Sequence, residues 1–528
     1  MRNFHLPGRS PAFATNGMCA TSHPLAAQTA LEILKSGGNA VDAAISAAVL
    51  LGFCEPQMTG LGGDCFVLLS PPGTEEVIAL NGSGRAPAAL DPNRLRASGH
   101  SKMPLHDAVS VTTPGAVDAF CRLAKDWGRL SLAEILAPAI RYAEDGIPVA
   151  PRTAFDWKIA ARTGVLSGVS TGYYLRNGQA PLPGDLFRAP KQAEVLRRIA
   201  LAGRDGFYLG DVAEDMVTSL QAAGGHHSLR DFAETESFYT KPISGHYKGI
   251  ELVEHPPNGQ GATAILMAKM LECFNLPELR PNGAARAHIE AEVAKLAYDA
   301  RNRFIADPDV TTRLDHMLSP ATAEELAARI HPTEAMVNPV KISESVHKDT
   351  VYITVVDRDR MSVSLIYSIF HAFGSGISSN KFGILFQNRG AGFTLTPNHP
   401  NEAGGGKRPM HTIIPGMIRE RGKVILPFGV MGGAYQPCGH ARFLTNLVDY
   451  GMDVQTAIDA PRSFADGGVL KIEDGYPDSI SQKLSEMGHK IEKTESPIGG
   501  AQAIRIDHDR GILMGGSDPR KDGCAIGY

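Results

Sequence analysis

About two thirds of the way along the chain, the stretch Asp349-Thr350-Val351-Tyr352-Ile353-Thr354-Val355-Val356-Asp357 sets one threonine at the head of an apolar, β-branched run. A threonine hydroxyl is a poor nucleophile near neutral pH, and most threonines at strand starts only cap or pair. The chemistry changes if the peptide bond between Asp349 and Thr350 is cut. Thr350 then carries a free α-amine beside its hydroxyl. Such amines titrate near pH 7.7–8, so a useful fraction is neutral and takes the hydroxyl proton. One residue would then be nucleophile and base together. The pattern leaves both readings open: a strand-capping threonine, or a self-cleavage point.

Other chemistries find no motif. Thr59-Gly60-Leu61-Gly62-Gly63-Asp64 lacks the spacing of a dinucleotide loop and reads as a turn into a buried strand. Gly404-Gly405-Gly406-Lys407-Arg408 lacks the first glycine and the final Ser or Thr of a phosphate loop. No HExxH or CxxC offers a metal site, and the adjacent pair His226-His227 is poorly spaced for one ion on a helix. No GxSxG elbow and no aromatic-basic pattern appears, so a serine hydrolase of that type and nucleic-acid binding are not expected. No cofactor is implied.

The 528 residues exceed the ~250–300 at which one core usually stops growing, so two lobes or one multilayered body are expected. Apolar residues make up 43% and charged residues 20%, a globular composition. The net charge of −4 gives no general affinity for nucleic acid or anionic membranes. Seven cysteines without CxxC pairing suit free, mostly buried thiols in a reducing compartment. The first residues show no signal-like apolar core and no stretch approaches ~18 apolar residues. The expectation is a cytoplasmic protein without a membrane span.

Residues 10–20 read as loop, with Ser22 capping a helix that stops at Gly37-Gly38. Asn39 caps a second helix, Ala40 to Leu51, apolar all round and therefore buried. Residues 105–240 read as mainly helical and 239–256 as extended. Helices are predicted at Ala262 to Phe274, Ala284 to Arg303 and Cys438 to Tyr450. Residues 306–349 are polar and turn-rich, like a tail ending at a processing point. Val351–Val356 and Met361–Ser368 make a hairpin, with further strands at Ile384–Gln387, Thr412–Ile414, Met417–Arg419 and Val424–Leu426.

An ordered series of motifs then carries a resemblance that runs nearly end to end. It includes Gly37-Gly38-Asn39-Ala40-Val41-Asp42-Ala43-Ala44, Gly60-Leu61-Gly62-Gly63-Asp64, Thr113-Pro114-Gly115, Gly374-Ser375-Gly376, Gly432-Gly433 and Ser517-Asp518-Pro519-Arg520. Together they resemble the γ-glutamyltranspeptidase family of N-terminal-nucleophile hydrolases. The resemblance implies an α/β (α+β) four-layer αββα sandwich with additional helices. It implies cleavage between Asp349 and Thr350, giving a large subunit (1–349) and a small one (350–528) that form a heterodimer, with a dimer of heterodimers as a further arrangement. It implies Thr350 as nucleophile, Gly432 and Gly433 as backbone donors to the oxyanion, and Ser368 in place of a threonine that supports the nucleophile.

The chain departs from that family where the glutamyl group is held. The carboxylate-binding Arg is Ser83, with Arg85 two residues on; the Ser pair is His411-Thr412; the Asn is Phe370 and the Asp is Gly392. An ammonium left without its carboxylate partner is costly to bury, so an acyl group with a free α-amine is disfavoured. His371, Arg389, His411, Thr412 and Arg85 are the candidates for a pocket that takes a carboxylate-bearing acyl group. The pattern is similar to the family's amidohydrolase branches: glutathione-hydrolase-like proteins, oxamate amidohydrolases, and cephalosporin or glutaryl acylases. Residual glutathione hydrolysis or transfer, and a non-catalytic metabolite-binding relative, are the alternatives.

Overall fold

A computed structural model of the protein describes residues 8–336 and 350–528. Two seven-stranded antiparallel sheets form its centre. One runs, edge to edge, Ala12–Ala14, Ile512–Ser517, Gly500–Asp507, Lys423–Met431, Gly416–Glu420, Ile250–Glu254 and Ile243–Tyr247. The other runs Cys524–Gly527, Met18–Thr21, Val351–Val356, Ser362–Ser368, Asp64–Ser70, Ile78–Gly82 and Phe238–Thr240. The strand after Thr350 lies mid-sheet and is buried along its whole length. That explains its near-continuous Val/Ile character: both faces are covered, so no polar alternation is needed.

Side-chain alternation assigns the layers. Val351, Ile353 and Val355 face outward into a cluster with the helices Pro24–Lys35 and Ala40–Cys54. Tyr352 points the other way, joining Phe66, Ile366, Ile413 and Met431 between the sheets. Leu252, Ile418, Phe428 and Val430 of the opposite sheet pack outward against helices Gly261–Glu272, Ala284–Phe304 and Gln436–Val448. Helix, sheet, sheet and helix follow in order, the expected αββα sandwich.

Several local expectations hold. Asn39 and Asp42 form a reciprocal capping box at the start of the second helix, which is buried on every side as its composition requires. The hairpin forms between Val351–Val356 and Ser362–Ser368 with Val351 opposite Tyr367. Others are corrected. Residues 10–20 carry one whole strand and most of a second: Ala12–Ala14 adds to the edge of one sheet, and Met18–Thr21 is held inside the other between Val351–Val356 and Cys524–Gly527. The first helix is capped by His23, whose ring accepts Leu25 N–H, while Ser22 turns to Glu55. Ile384–Gln387 makes only isolated bridges, through Leu385 and Phe386, and Thr412–Ile414 makes none, the bridge falling on the preceding His411, because both serve as loops around the site. The polar segment after 306 holds two short helices, Leu314–Leu318 and Pro320–Ala327, whose few apolar residues dock on the large helical core. Asp349 lies outside the described residues.

The seven cysteines are unpaired. Cys19, Cys54, Cys65 and Cys438 are buried, Cys121 and Cys524 half-buried, and Cys273 exposed. Among the described residues no helix is long and apolar enough to cross a membrane.

Candidate active site

Thr350 is buried at the head of its strand, and its hydroxyl lies 3.5 Å from Ser368 Oγ, the outer limit of a hydrogen bond. Hairpin register brings them together, since Val351 pairs with Tyr367 and the next residue on each strand falls at the same end. Ser368 Oγ also accepts the Phe370 N–H at 2.8 Å, which fixes its position. Phe370 holds a left-handed φ of 79°, rare for an aromatic residue and typical of places where function dictates backbone shape.

The paired glycines end the strand Lys423–Met431 in the facing sheet. Tyr352 lies flat over Gly429 of that strand: a Cβ there would stand 2.3 Å from the Tyr352 ring, so only glycine permits the approach. Tyr352 also shares a cluster with Met431, the residue just before the pair. The strand that Thr350 heads therefore starts above the end of the strand that leads into Gly432-Gly433. Both glycines have positive φ, 128° and 56°, and they turn the chain into the helix Gln436–Val448. Backbone N–H groups at such a turn into a helix start carry partial positive charge, suited to a developing oxyanion.

Gln260 ties this corner together. Its amide nitrogen donates to Thr412 O at 2.6 Å and to Gly433 O at 3.1 Å, and its oxygen accepts from Arg301 Nη1 at 2.8 Å. Thr412, Phe370, Gly392, Arg301 and Ala434 line a cavity of about 310 Å³. No Asp or Glu is among its lining residues in the described part of the chain.

Arg389 lies beneath the cavity floor. It is fully buried, donates to Thr412 Oγ1 at 3.1 Å and stacks on the Phe370 ring with 4.2 Å to the centroid. Its Nε and Nη2 find no hydrogen-bond partner among the described residues. Burial pushes its pKa down to about 9, while the charge of Asp64 pulls it back up. Asp64, at the end of the Gly62-Gly63-Asp64 turn, spends one oxygen on the N–H groups of Gly84 and Gly115, both at 3.0 Å. Its other oxygen lies 3.3 Å from His411 Nε2, close enough to interact but poorly aligned for a hydrogen bond. Burial, then the neighbouring Arg389 charge, pushes His411 down to about 4, so the ring is neutral at physiological pH.

The structure thus gathers Thr350, Ser368, Arg389, His411 and Thr412 around one corner. Arg85 stands apart, and His371 lies outside the cavity lining with its ring centroid 4.2 Å from that of Phe370. Arg85 is half exposed, bonds to Gly406 O and faces Asp307 at 3.8 Å, beside a different cavity with Ser83 and Arg408. It sits past the buried Ser83, where the chain has already turned outward. His371 is directed at Asn388, with Nδ1 2.6 Å from the amide nitrogen, and packs against His106. Its nearness in sequence to Phe370 does not bring it to the cavity wall.

Asp64, Gln260 and Arg301 are functional candidates that sequence reasoning passed over. Gln260 sits in the loop Pro256-Pro257-Asn258-Gly259-Gln260, whose turn-forming residues are the one signal that could have found it; Arg301 looks like any polar helix residue. His288, Glu292 and His489 also converge, with ligand-type atoms within 4.8 Å. That group is already closed. His288 Nδ1 is 2.8 Å from His489 Nε2, Lys295 neutralises Glu292 at 2.6 Å, and Met336 N–H occupies the other carboxylate oxygen. It acts as a clamp on the segment before residue 337.

A family model described as gamma-glutamyltranspeptidase matches residues 26–528. The chain belongs to the gamma-glutamyltranspeptidase family. It is 36% identical to the glutathione hydrolase-like YwrD proenzyme of Bacillus subtilis, over 97% of this chain and 98% of that one. It is 33% identical to the oxamate amidohydrolase proenzyme of Klebsiella pneumoniae, over 98% and 99%. A crystal structure of cephalosporin acylase from Bacillus halodurans superposes with a TM-score of 0.92 at 37% identity, covering 100% and 99%. The fold and the family place the chain on the N-terminal-nucleophile hydrolase branch, as an autoprocessed amide hydrolase. A precursor cleaved into two subunits that stay together as a heterodimer fits these relatives.

Proposed function

We propose that this gamma-glutamyltranspeptidase-family hydrolase cleaves itself between Asp349 and Thr350 and then hydrolyses small amides whose acyl group carries a carboxylate. Residues 1–349 form the large subunit and 350–528 the small one. The Thr350 hydroxyl attacks the amide carbonyl as its own α-amine takes the proton. The N–H groups of Gly432 and Gly433 stabilise the oxyanion, each worth on the order of 10²–10³ in rate. Collapse breaks the C–N bond and the proton passes to the leaving amine. Water, deprotonated by the same α-amine, releases the acid.

The carrying observation is Arg389: a buried guanidinium with two nitrogens that find no hydrogen-bond partner among the described residues, under a cavity whose described lining includes no Asp or Glu. The charge of Asp64 only partly offsets the burial of this cation, and an acyl carboxylate supplies a further counter-anion. The same positive surroundings oppose an acyl group with a free ammonium. This favours an oxamate- or acylase-like specificity over glutathione. The free thiols support a cytoplasmic setting.

The test is intact-mass analysis of the purified protein, followed by turnover of oxamate, succinamate and glutaramate beside glutathione. Cleavage at Thr350 and a preference for the amine-free amides are expected. An uncut chain, unchanged by Thr350→Ala, sinks the mechanism; a preference for glutathione sinks the specificity.

A further inference from the structure

A second cavity, of about 400 Å³, opens beside Ser83 and is lined by two arginines that the mechanism above does not use, Arg85 and Arg408. Arg408 is 5% exposed, and its guanidinium lies over the Phe238 ring, 4.8 Å to the centroid. Its hydrogen bonds go to neutral carbonyls: Nε donates to Ser83 O at 3.0 Å and Nη2 to Glu236 O at 3.2 Å. Nη1 finds no hydrogen-bond partner among the described residues. Arg85 donates from Nη1 to Gly406 O at 2.7 Å, while its Nε and Nη2 find no partner among the described residues.

Carboxylates do line this cavity, but each is engaged elsewhere. Asp231 caps its helix through Ser228 and accepts the Ala88 N–H at 2.9 Å. Glu234 pairs with Arg230 at 2.7 Å and Glu236 with Arg122 at 2.9 Å. Asp307 is left to face two guanidinium groups. It stands 3.8 Å from Arg85, beyond hydrogen-bond reach, and one of its oxygens accepts the Arg408 backbone N–H. Burial, then the charge of Arg85, pushes Arg408 down to about 10, against the pull of Asp307, Asp64 and Asp309, so the two like charges are close enough to repel. An oxyanion between them relieves that repulsion and takes the open N–H donors, for which the planar guanidinium fork is suited. The volume is that of a small-ligand site.

We infer that the cavity between Arg85 and Arg408 binds a small oxyanion, a carboxylate or a phosphate, at a site separate from the acyl pocket over Arg389. This goes beyond the amide-hydrolase reading and does not depend on it. The site is nevertheless joined to the catalytic corner. Arg408 Nε holds Ser83 O, Asn258 Nδ2 donates to Ser83 Oγ at 3.3 Å, and Asn258 O accepts the His411 N–H at 2.7 Å. An anion held by Arg408 therefore bears on His411 through an unbroken run of hydrogen bonds, as an effector rather than a substrate.

The test is isothermal titration calorimetry of the purified protein at fixed ionic strength, with inorganic phosphate and with succinate as probes. At least one of the two should bind, with a Kd that weakens about tenfold or more in Arg85→Gln and is unmoved in Arg389→Met. Heat from phosphate alone, from succinate alone or from both supports the site and identifies which oxyanion it takes. Arg85 is half exposed, so Arg85→Gln spares the core and the comparison does not hinge on a variant that misfolds. Binding of neither probe overturns the inference, as does a Kd that Arg85→Gln leaves unchanged. A Kd that Arg389→Met weakens as much as Arg85→Gln does moves the anion to the acyl pocket and overturns it too. None of these outcomes touches cleavage at Thr350 or amide turnover, so this inference and the parent reading fail separately.

Discussion

Replacing Arg389 by methionine should push folding stability and substrate binding in opposite directions. The guanidinium is fully buried, and that burial pushes its pKa well down, to about 9. At 1.36 kcal/mol per pKa unit, keeping that charge inside the folded protein costs about 5 kcal/mol. The bond to Thr412 and the stack on Phe370 return about 1–3 kcal/mol of it. Methionine follows the same stem without the charge, so Arg389→Met should stabilise the substrate-free enzyme by about 2–4 kcal/mol. The carboxylate-bearing amide loses its partner, a loss of about 2–5 kcal/mol, or roughly 30- to several-thousand-fold in kcat/KM. The assays are denaturant unfolding without ligand and steady-state hydrolysis of succinamate beside an uncharged amide of equal size. The pH dependence has a definite sign. In the wild type the cation is lost as pH rises through about 9, so KM for the anionic amide should climb above that pH, while folding stability rises. A variant that unfolds more easily and still discriminates between the two amides would falsify the reasoning, because the guanidinium would then be a structural group already neutralised by Asp64.

Three further outcomes follow from the same corner. Ser368→Ala leaves the buried Phe370 N–H without its acceptor, so a loss of roughly 1–3 kcal/mol in denaturant unfolding and slower acylation are expected, while Ser368→Thr should keep both. Gly432→Ala adds a Cβ 3.0 Å from Gly499 Cα at a φ of 128°, so kcat should drop about 100-fold or more with little change in KM; an unchanged kcat removes the glycine pair from the mechanism. Burial pushes His23, His227, His255 and His411 each to about 4. These rings are neutral in the folded protein and protonate first in the unfolded chain. Stability should therefore fall as pH drops from 6.5 toward 4, by roughly 3 kcal/mol per ring at the limit. Replacing His255 by an uncharged residue of similar volume should flatten that slope, measurable by thermal unfolding at pH 7 and pH 5.

Sequence alone determined the features that depend on local pattern. A β-branched run with no polar alternation has to be covered on both faces, and Val351–Val356 is. A helix apolar on every side has to be buried, and Ala40–Cys54 is. The threonine at a strand head and the glycine pair were visible because each rests on a few contiguous residues. What sequence could not decide is which distant residues share one corner. Arg85 and Arg389 look alike as charged letters; the first turns out to solvent and the second is sealed beneath Phe370. His371 packs its ring on Phe370, yet its Nδ1 is turned to Asn388 and it lies outside the cavity lining. Gln260 joins Arg301 to the glycine pair only because the sheets and the long helix meet there. Burial converts such an arginine from a solvated surface charge into a demand for an anion, and burial is a property of the packed molecule.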